Sequence, residues 1–206
     1  MYIESKTAKG IYTVPIESRL LNARSVFLTS EIHYESIIET VKQIMYLRTE
    51  DEKRPIDLYI SSQGGEVVAG LVLYDMLTGI TDTPIRTICL GMAYSMGAVL
   101  LAAGNKGSRY ILPHSKVMIH EPLLSGGVSG STTSIKSIAD SMLETRKLIN
   151  GIMSKHTGKT IKQIEKATSY DHYFTAKEAV DFGLADKIVT FDEIFRKENE
   201  YEREEL

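Results

Sequence analysis

The chain has 206 residues, 43% of them hydrophobic and 25% charged, which is the composition of a globular protein with enough chain for one sizeable core. A formal net charge of −3 creates no basic field, so nucleic acid is not an expected partner. One cysteine rules out an internal disulfide and favours a reducing, cytoplasmic compartment, and no stretch approaches the roughly 20 apolar residues that span a bilayer.

Strand and helix patterns alternate along the chain. In order, they are a strand at 25–28, a helix at about 34–48, a strand at 56–60, a helix from about 66, a strand at 85–90, a helix at 96–103, strands at 109–112 and 116–120, a helix at about 134–155, a helix capped by Thr175 and ended by Gly183, and a strand at 188–189. This alternation with short loops predicts an α/β fold in which stacked parallel β-α-β units form a helix-covered core.

Three of the predicted helices have distinct apolar patterns. The helix at 96–103 is nearly all apolar and is expected to be buried on every side. The long helix at about 134–155 has only a partial apolar stripe, so we expect it to project from the body and meet a partner subunit. In the helix from about residue 66, the residues assigned to the inner face are Val67, Val68, Leu71, Val72 and Met76.

Ser95 is a lone hydroxyl among small and apolar residues, between a predicted strand and a predicted buried helix. A helix start supplies free N–H groups and a favourable dipole, which suit a nucleophile and the oxyanion it generates. The spacing Gly91-x-x-x-Ser95-x-Gly97 differs from the Gly-x-Ser-x-Gly of α/β-hydrolases. On local pattern alone, a helix N-cap or packing role is the commoner outcome for such a serine, and a nucleophile is the alternative.

Two further features lie at the carboxyl ends of predicted strands, where ligands collect in parallel sheets. Gly64 and Gly65 permit positive φ and an N–H turned into a cavity, although an ordinary turn explains them equally well. Of the five histidines, His120 has the best position for a general base because it ends an apolar strand. Asp171 lies in a predicted loop, and spacing alone does not pair it with His120.

A possible phosphate-binding motif can be set aside. Gly158-Lys159-Thr160 matches the end of a phosphate loop, but the glycine that such a loop needs five residues earlier is Met153. No cluster of His, Cys, Asp and Glu has the spacing of metal ligands. The sequence therefore predicts that this chain holds neither a nucleotide nor a metal.

Three segments together resemble the Clp protease proteolytic subunit family. They read SSQGGEVVAG, TICLGMAYSMGAVLLAAGNKGSRYILPHSKVMIHEPL and HYFTAKEAVDFGLADKI, in the order in which the family has them. The resemblance runs from about residue 19 to residue 189, and three segments in register are far more specific than any one alone. It implies the fold that this family shares with crotonase-type enzymes, with a projecting handle helix.

The resemblance implies roles residue by residue. Ser95 would be the nucleophile, His120 the general base, and Asp171 the group that orients and stabilises the imidazolium. The backbone N–H groups of Gly65 and Met96 would hold the oxyanion. The order Ser, His, Asp along the chain differs from the order in other triads, but the roles are the same.

The resemblance also implies an assembly. One domain, residues 1–206, would contribute an N-terminal axial segment at about 1–18 and a handle region at about 122–155 that interlocks two heptameric rings as a tetradecamer. Residues from about 191 to 206 hold seven acids and three bases and are expected to form a solvated tail. A Clp-family AAA+ unfoldase would use ATP to feed in unfolded polypeptides, so this chain would need no cofactor of its own.

Several residues depart from the family pattern. They are Gln63 for a proline, Tyr94 for a small residue, Glu121 for a glutamine, Tyr170 for an arginine that helps to pair the rings, and Asp57 and Gly79 for aromatics of the unfoldase-docking pocket. The changes predict a less rigid oxyanion loop, a narrower site, and weaker ring pairing and docking. They favour the hypothesis of a divergent second paralogue that works with a partner subunit.

Two alternatives to an active serine endopeptidase stay open at this point. A crotonase-like acyl-CoA enzyme would use paired N–H groups to hold a thioester enolate and would not need a serine, histidine and aspartate set. A low-activity scaffold paralogue would form rings but cleave poorly. Covalent labelling of Ser95 tests the first alternative, and comparison of the parent with Ser95→Ala tests the second.

Overall fold

A computed structural model describes residues 1–7, 10–124 and 126–195. Its elements are β1 (Tyr2–Thr7), β2 (Gly10–Pro15), α1 (Ile16–Asn22), β3 (Ser25–Leu28), α2 (Tyr34–Glu50), β4 (Ile56–Ser62), α3 (Val67–Gly79), β5 (Ile85–Tyr94), α4 (Met96–Ala102), β6 (Arg109–Ile111), β7 (Lys116–Ile119), α5 (Thr132–Thr157), α6 (Ile161–Thr168), β8 (His172–Thr175), α7 (Ala176–Phe182) and β9 (Lys187–Ile188). The predicted acidic tail begins at about residue 191, and its residues 196–206 lie outside the described part of the chain.

The main sheet contains β3 to β9 and branches at its longest strand. Its central path runs β3-β4-β5-β6-β9, with every neighbouring pair parallel. The first half of β5 pairs with β6 through residues 87–89, and the second half pairs with β7 through residues 92–94. Between the two halves, Gly91 adopts a φ of 78° and donates its N–H to Ser115 Oγ. β8 adds to the branch antiparallel to β7, so the predicted α/β class with a mostly parallel sheet is confirmed.

Helix packing confirms one prediction and corrects another. All seven residues of α4 are buried, as expected. In α3, by contrast, Val68 is 80% exposed and Val72 is 38% exposed, while the buried positions include Leu73 and Leu77. Almost every position of α3 is apolar, so the spacing of apolar residues does not identify its inner face. The assignment of Val68 and Val72 to that face was therefore wrong.

The long helix α5 divides into two parts. Its first half is largely exposed, with Ile135 44% exposed, whereas Ile149, Ile152 and Met153 near its end are buried in the core. Gly158 then ends the helix in the left-handed conformation, with a φ of 73°. Two residues later Thr160 caps α6, so the Gly-Lys-Thr sequence forms a junction between two helices.

Arg109 connects the ends of three helices through hydrogen bonds from its guanidinium. Its guanidinium donates to the carbonyls of Ala102, His156 and Gly183, at the ends of α4, α5 and α7. It also pairs with Asp186 through Nε and Nη2, at 2.9 and 2.6 Å. The arginine is 3% exposed, so every one of these acceptors replaces water that burial removed.

Several elements of the structure were not predicted from the sequence. The hairpin of β1 and β2 falls in the predicted axial segment, of which residues 8 and 9 lie outside the described part of the chain. The helices α1 and α6 and the four-residue strand β8 were also missed.

Asp57 is buried and paired inside the sheet. It is 2% exposed and forms an ion pair with Arg86, its in-register neighbour on β5. An unpaired buried carboxylate is costly, so the cross-strand arginine accompanies it. Gly79 lies elsewhere, at the exposed end of α3, and the weaker unfoldase docking expected from these two residues stays a prediction.

Candidate active site

Ser95 lies between the end of β5 and the start of α4, and its backbone conformation is strained. Its φ of 54° and ψ of −119° lie in a region that non-glycine residues rarely adopt. The turn is fixed by backbone bonds: the Ser95 N–H donates to Met118 O at 2.8 Å, and its carbonyl accepts from Ala98 and Val99 at 3.0 and 3.3 Å. Ser95 occupies the N-cap position of α4, yet its side chain caps nothing. The hydroxyl is therefore left available for another partner.

That partner is His120. The Ser95 Oγ lies 2.8 Å from His120 Nε2, and His120 Nδ1 lies 3.2 Å from Asp171 Oδ1. A carboxylate can only accept, so the Nδ1 proton faces Asp171 and leaves Nε2 as the acceptor for the Ser95 hydroxyl. The three predicted residues thus form one continuous hydrogen-bonded chain.

Strand register explains how distant residues meet. β5 and β7 are parallel neighbours in which Tyr94 lies opposite Met118, so Ser95 and His120 follow the same end of adjacent strands. β7 and β8 are antiparallel, with Ile119 opposite His172. The next residue outward on each strand is His120 on one and Asp171 on the other.

The two strand-to-helix turns are in direct contact. Gly64 and Gly65 have φ values of 98° and 147°. A Cβ on Gly64 would lie 2.6 Å from Ser95 Cβ, and a Cβ on Gly65 would lie 2.1 Å from Ile32 O, so neither position admits a side chain without a backbone shift. Within the described residues, no protein acceptor is recorded for the N–H of Gly65 or Met96. Both predicted oxyanion donors therefore lack a protein acceptor in the described part of the chain.

Ser62 holds the glycine turn in place. Its Oγ donates to Ser30 O at 2.6 Å and accepts the Gly64 N–H at 3.1 Å. These bonds restrain the segment in which Gln63 stands for the proline of the family pattern. The side chain of Ser62 is thus a source of rigidity that the sequence pattern did not reveal.

An apolar pocket opens beside the Ser95 and His120 side chains. The other residues that line it are Val67, Met96, Val99, Ile119, Pro122, Ile149, Met153 and Thr168. Two of these, Ile149 and Met153, come from the buried end of α5 and were not predicted as site residues. Because the lining is mainly apolar, the pocket suits an apolar side chain of a bound molecule.

The other four histidines have separate contacts. His33 begins α2 with its Nδ1 on Glu31 O, and His114 is exposed. His156 contacts the Tyr74 hydroxyl at 3.1 Å, and burial, helped by Lys155 and Arg109, lowers its pKa. His172 stacks on Phe174, 4.2 Å between ring centres. Of the histidines, all of which are described, His120 is the one recorded in contact with Ser95.

Glu121, directly after His120, also has a defined partner. Its carboxylate lies 3.2 Å from Arg146 Nε on α5, and its N–H donates to Thr168 O at 2.8 Å. The negative charge that replaces the glutamine of the family pattern is thus compensated by a cation on α5.

Residues 8–192 of the 206-residue chain match the family model of the Clp protease. The match confirms the family that the three sequence segments indicated, and with it a Clp-type peptidase, a hydrolase of peptide bonds. Members of this family generally form oligomeric rings that work with unfoldase partners.

The part of the chain that the structure describes contains neither a candidate membrane span nor a candidate metal site. No helix there combines the length and the apolar character that crossing a membrane requires. Across the same part of the chain, no group of three or more His, Cys, Asp or Glu side chains is placed to hold a metal ion.

Proposed function

The chain belongs to the Clp protease family, and from that premise we propose that it is the proteolytic subunit of an ATP-dependent Clp protease and acts as a serine endopeptidase. The observation that carries the proposal is the hydrogen-bonded chain from Ser95 Oγ through His120 to Asp171. A serine hydroxyl is a poor nucleophile until a base accepts its proton, and His120 Nε2 is 2.8 Å away.

Acylation follows from this geometry. Ser95 Oγ attacks the carbonyl carbon of the peptide bond while its proton passes to His120 Nε2. The Asp171 carboxylate, on Nδ1, holds the ring orientation and stabilises the imidazolium. When the tetrahedral intermediate collapses, the C–N bond breaks, His120 returns the proton to the leaving amine, and an ester joins the substrate carbonyl to Ser95.

Deacylation repeats the sequence with water as the nucleophile. His120 takes a proton from water as the water oxygen attacks the ester carbon. When this intermediate collapses, the bond between that carbon and Ser95 Oγ breaks, His120 gives the proton to Ser95 Oγ, and the carboxylic acid product leaves. In both halves the carbonyl oxygen becomes negative and is held by the N–H groups of Gly65 and Met96. Loss of one such donor typically costs about 10²–10³ in rate.

We place this reaction in a chamber that unfolded polypeptides enter and short peptides leave. Heptameric rings stacked as a tetradecamer would enclose the sites, and the exposed first half of α5, with its apolar side chains Ile135 and Leu143, supports contact with another subunit. A Clp-family AAA+ unfoldase would hydrolyse the ATP, so the proposal requires no cofactor in this chain.

Labelling with a fluorophosphonate tests the serine mechanism. The assembled parent should form one adduct, at Ser95, and hydrolyse a fluorogenic peptide, whereas Ser95→Ala should show neither the adduct nor more than about 10⁻⁴ of the parent rate. Ser137→Ala, on the exposed half of α5, is the control for labelling of surface serines and should behave as the parent.

Each failure of this test points to a specific alternative. An assembled parent that is not labelled contradicts the serine mechanism and favours a crotonase-like acyl-CoA enzyme. Equal peptidase rates for the parent and Ser95→Ala favour a scaffold subunit. Activity that appears only after mixing with a conventional Clp proteolytic subunit supports the hypothesis of a paralogue that needs a partner.

A further inference from the structure

Three strands meet beside the site, and each contributes one side chain to a row across them. Tyr94 on β5 lies opposite Met118 on β7, and Met118 lies opposite Tyr173 on β8. Residues in register on neighbouring strands point to the same face of the sheet. The rings of Tyr94 and Tyr173 reach across this row and meet edge to face, with centres 5.5 Å apart and planes at 90°.

The row lies next to all three residues of the hydrogen-bonded chain. Ser95 directly follows Tyr94, His120 is two residues beyond Met118, and Asp171 is two residues before Tyr173. Side chains two apart on a strand share a face, and His120 and Asp171 each lie one residue beyond the end of β7 or β8, so the tyrosine pair is close to the point where these two side chains meet.

Asp171 is the member of the site with the least support. Its carboxylate is 57% exposed and makes the longer of the two contacts, 3.2 Å to His120. It precedes β8, a strand of four residues that, in the part of the chain that the structure describes, pairs with β7 alone. A short strand paired on one side moves more readily than a central strand, and that motion would change the distance between Asp171 and His120.

The opposite face of β8 is already anchored. His172 stacks on Phe174, which is 3% exposed and packs on Phe182 of α7, 4.9 Å between ring centres. Tyr170 extends the stack on His172, at 6.1 Å. On the face of Tyr173, the ring contact of β8 within the described residues is the one with Tyr94. The tyrosine pair therefore links the strand that follows Asp171 directly to the strand that precedes Ser95.

We propose that Tyr94 and Tyr173 form a positioning pair that holds Asp171 in line with His120 and Ser95. The inference rests on the proposed serine mechanism and assigns neither tyrosine a contact with substrate. A misplacement of about 1 Å in a catalytic group costs up to roughly 10²-fold in rate. Loss of either ring should therefore slow acylation and leave substrate binding almost unchanged.

The test is a double-mutant cycle on the assembled particle with a fluorogenic peptide. Tyr94→Ala and Tyr173→Ala should each lower kcat by about tenfold or more, with KM within about twofold of the parent. The double variant should be no slower than the slower single variant, because both changes remove one contact. Tyr94→Phe and Tyr173→Phe keep the edge-to-face ring contact and should retain kcat within about threefold.

Three results would overturn the positioning pair. They are a kcat loss in the double variant equal to the product of the two single losses, variants that change KM alone, and Phe variants whose kcat is as low as that of the Ala variants. Particle size and thermal melting accompany each measurement. If an Ala variant fails to assemble, Tyr173→Leu replaces it. That substitution keeps an apolar side chain of similar bulk but removes the aromatic ring, and it should still lower kcat about tenfold. A Leu variant with parental kcat contradicts the proposal.

The rate of Ser95 labelling by a fluorophosphonate separates this inference from the proposed function. A labelled parent whose Tyr173→Ala variant is labelled at the same rate overturns the positioning pair alone. A parent that is not labelled overturns the serine mechanism and the pair together. A labelled parent with a variant slowed about tenfold, and restored by Tyr173→Phe, supports both.

Discussion

The two strand-to-helix turns of the site solve one geometric problem in different ways. Both leave a parallel strand and adopt positive φ, and in the proposed mechanism each supplies an N–H group for the oxyanion. The turn between β4 and α3 does so with Gly64 and Gly65, at φ values of 98° and 147°. The turn between β5 and α4 does so with a serine at a φ of 54°.

The difference follows from what each turn contributes. The glycine turn offers only its backbone, and a Cβ at Gly65 would lie 2.1 Å from the carbonyl oxygen of Ile32. In the proposed mechanism the serine turn must present a side chain, so it keeps a Cβ in a conformation that costs about 1–3 kcal/mol in a non-glycine residue. Of the two turns, the strained non-glycine residue is then at the one where the proposed chemistry requires a side chain.

The Ser95→Gly substitution places a glycine in the second turn, as in the first, and has the largest predicted effect on activity. Peptide hydrolysis should fall by about 10⁴-fold or more because the nucleophile is gone. The free energy of unfolding should nevertheless be about 1 kcal/mol higher than in Ser95→Ala, which is equally inactive but keeps a Cβ at positive φ. Urea denaturation of the two inactive variants measures the difference. Equal stability would show that the serine turn is not strained.

Gly65→Ala tests the first turn, with an expected loss of about 10²–10³ in kcat/KM, as for the removal of one oxyanion donor. The added Cβ would collide with backbone atoms of Ile32, which cannot rotate away, so the N–H must move. Gly79→Ala is the matched control, since a Cβ at that end of α3 meets nothing within 4 Å. The control should keep parental activity. Parental activity in Gly65→Ala would exclude this N–H from the mechanism.

The comparison also shows what the sequence can and cannot predict. Ser95 was recognisable as a candidate because a glycine, a lone hydroxyl and an apolar helix follow one another within a few residues, although the local pattern alone favoured a helix N-cap. Gly65 was a candidate because two glycines follow a strand, although an ordinary turn explained them equally well. Asp171 could not be paired with His120 by spacing, because its approach depends on the antiparallel register of β8, a strand that was not predicted. Only the resemblance to a family identified it.

Packing faces and charges were the other limits. In α3 nearly every residue is apolar, so Val68 could not be recognised as exposed from spacing. The partner of Asp57 was not predicted either, because Arg86 lies on another strand, 29 residues away along the chain. Both limits concern relations between elements, whereas the burial of α4, which was predicted correctly, follows from residues that are close in sequence.

The helices that follow the two turns end differently. The last residue of α3, Gly79, is exposed. The carbonyl of Ala102, the last residue of α4, accepts a hydrogen bond from Arg109, which also pairs with Asp186. Burial alone would raise the pKa of Asp186, but the bonds from Arg109 and Gly107 outweigh it and hold that pKa below its usual value. A carboxyl with a depressed pKa stabilises the fold above its unfolded pKa, about 4, and the stabilisation is lost as the pH falls through the folded value.

Asp186→Asn should therefore lower the free energy of unfolding by about 3 kcal/mol at pH 7, because it leaves the Arg109 cation buried beside a neutral amide. The deficit relative to the parent should shrink as the pH falls below about 4, where the parent carboxyl also becomes neutral. Asp181→Asn, which breaks an exposed pair with Lys177, is the matched control and should change stability by less than about 0.5 kcal/mol. Urea denaturation across this pH range compares the three proteins. A deficit for Asp186→Asn that is no larger than the control's at pH 7, or that does not depend on pH, would mean that α4 is held by its apolar packing alone.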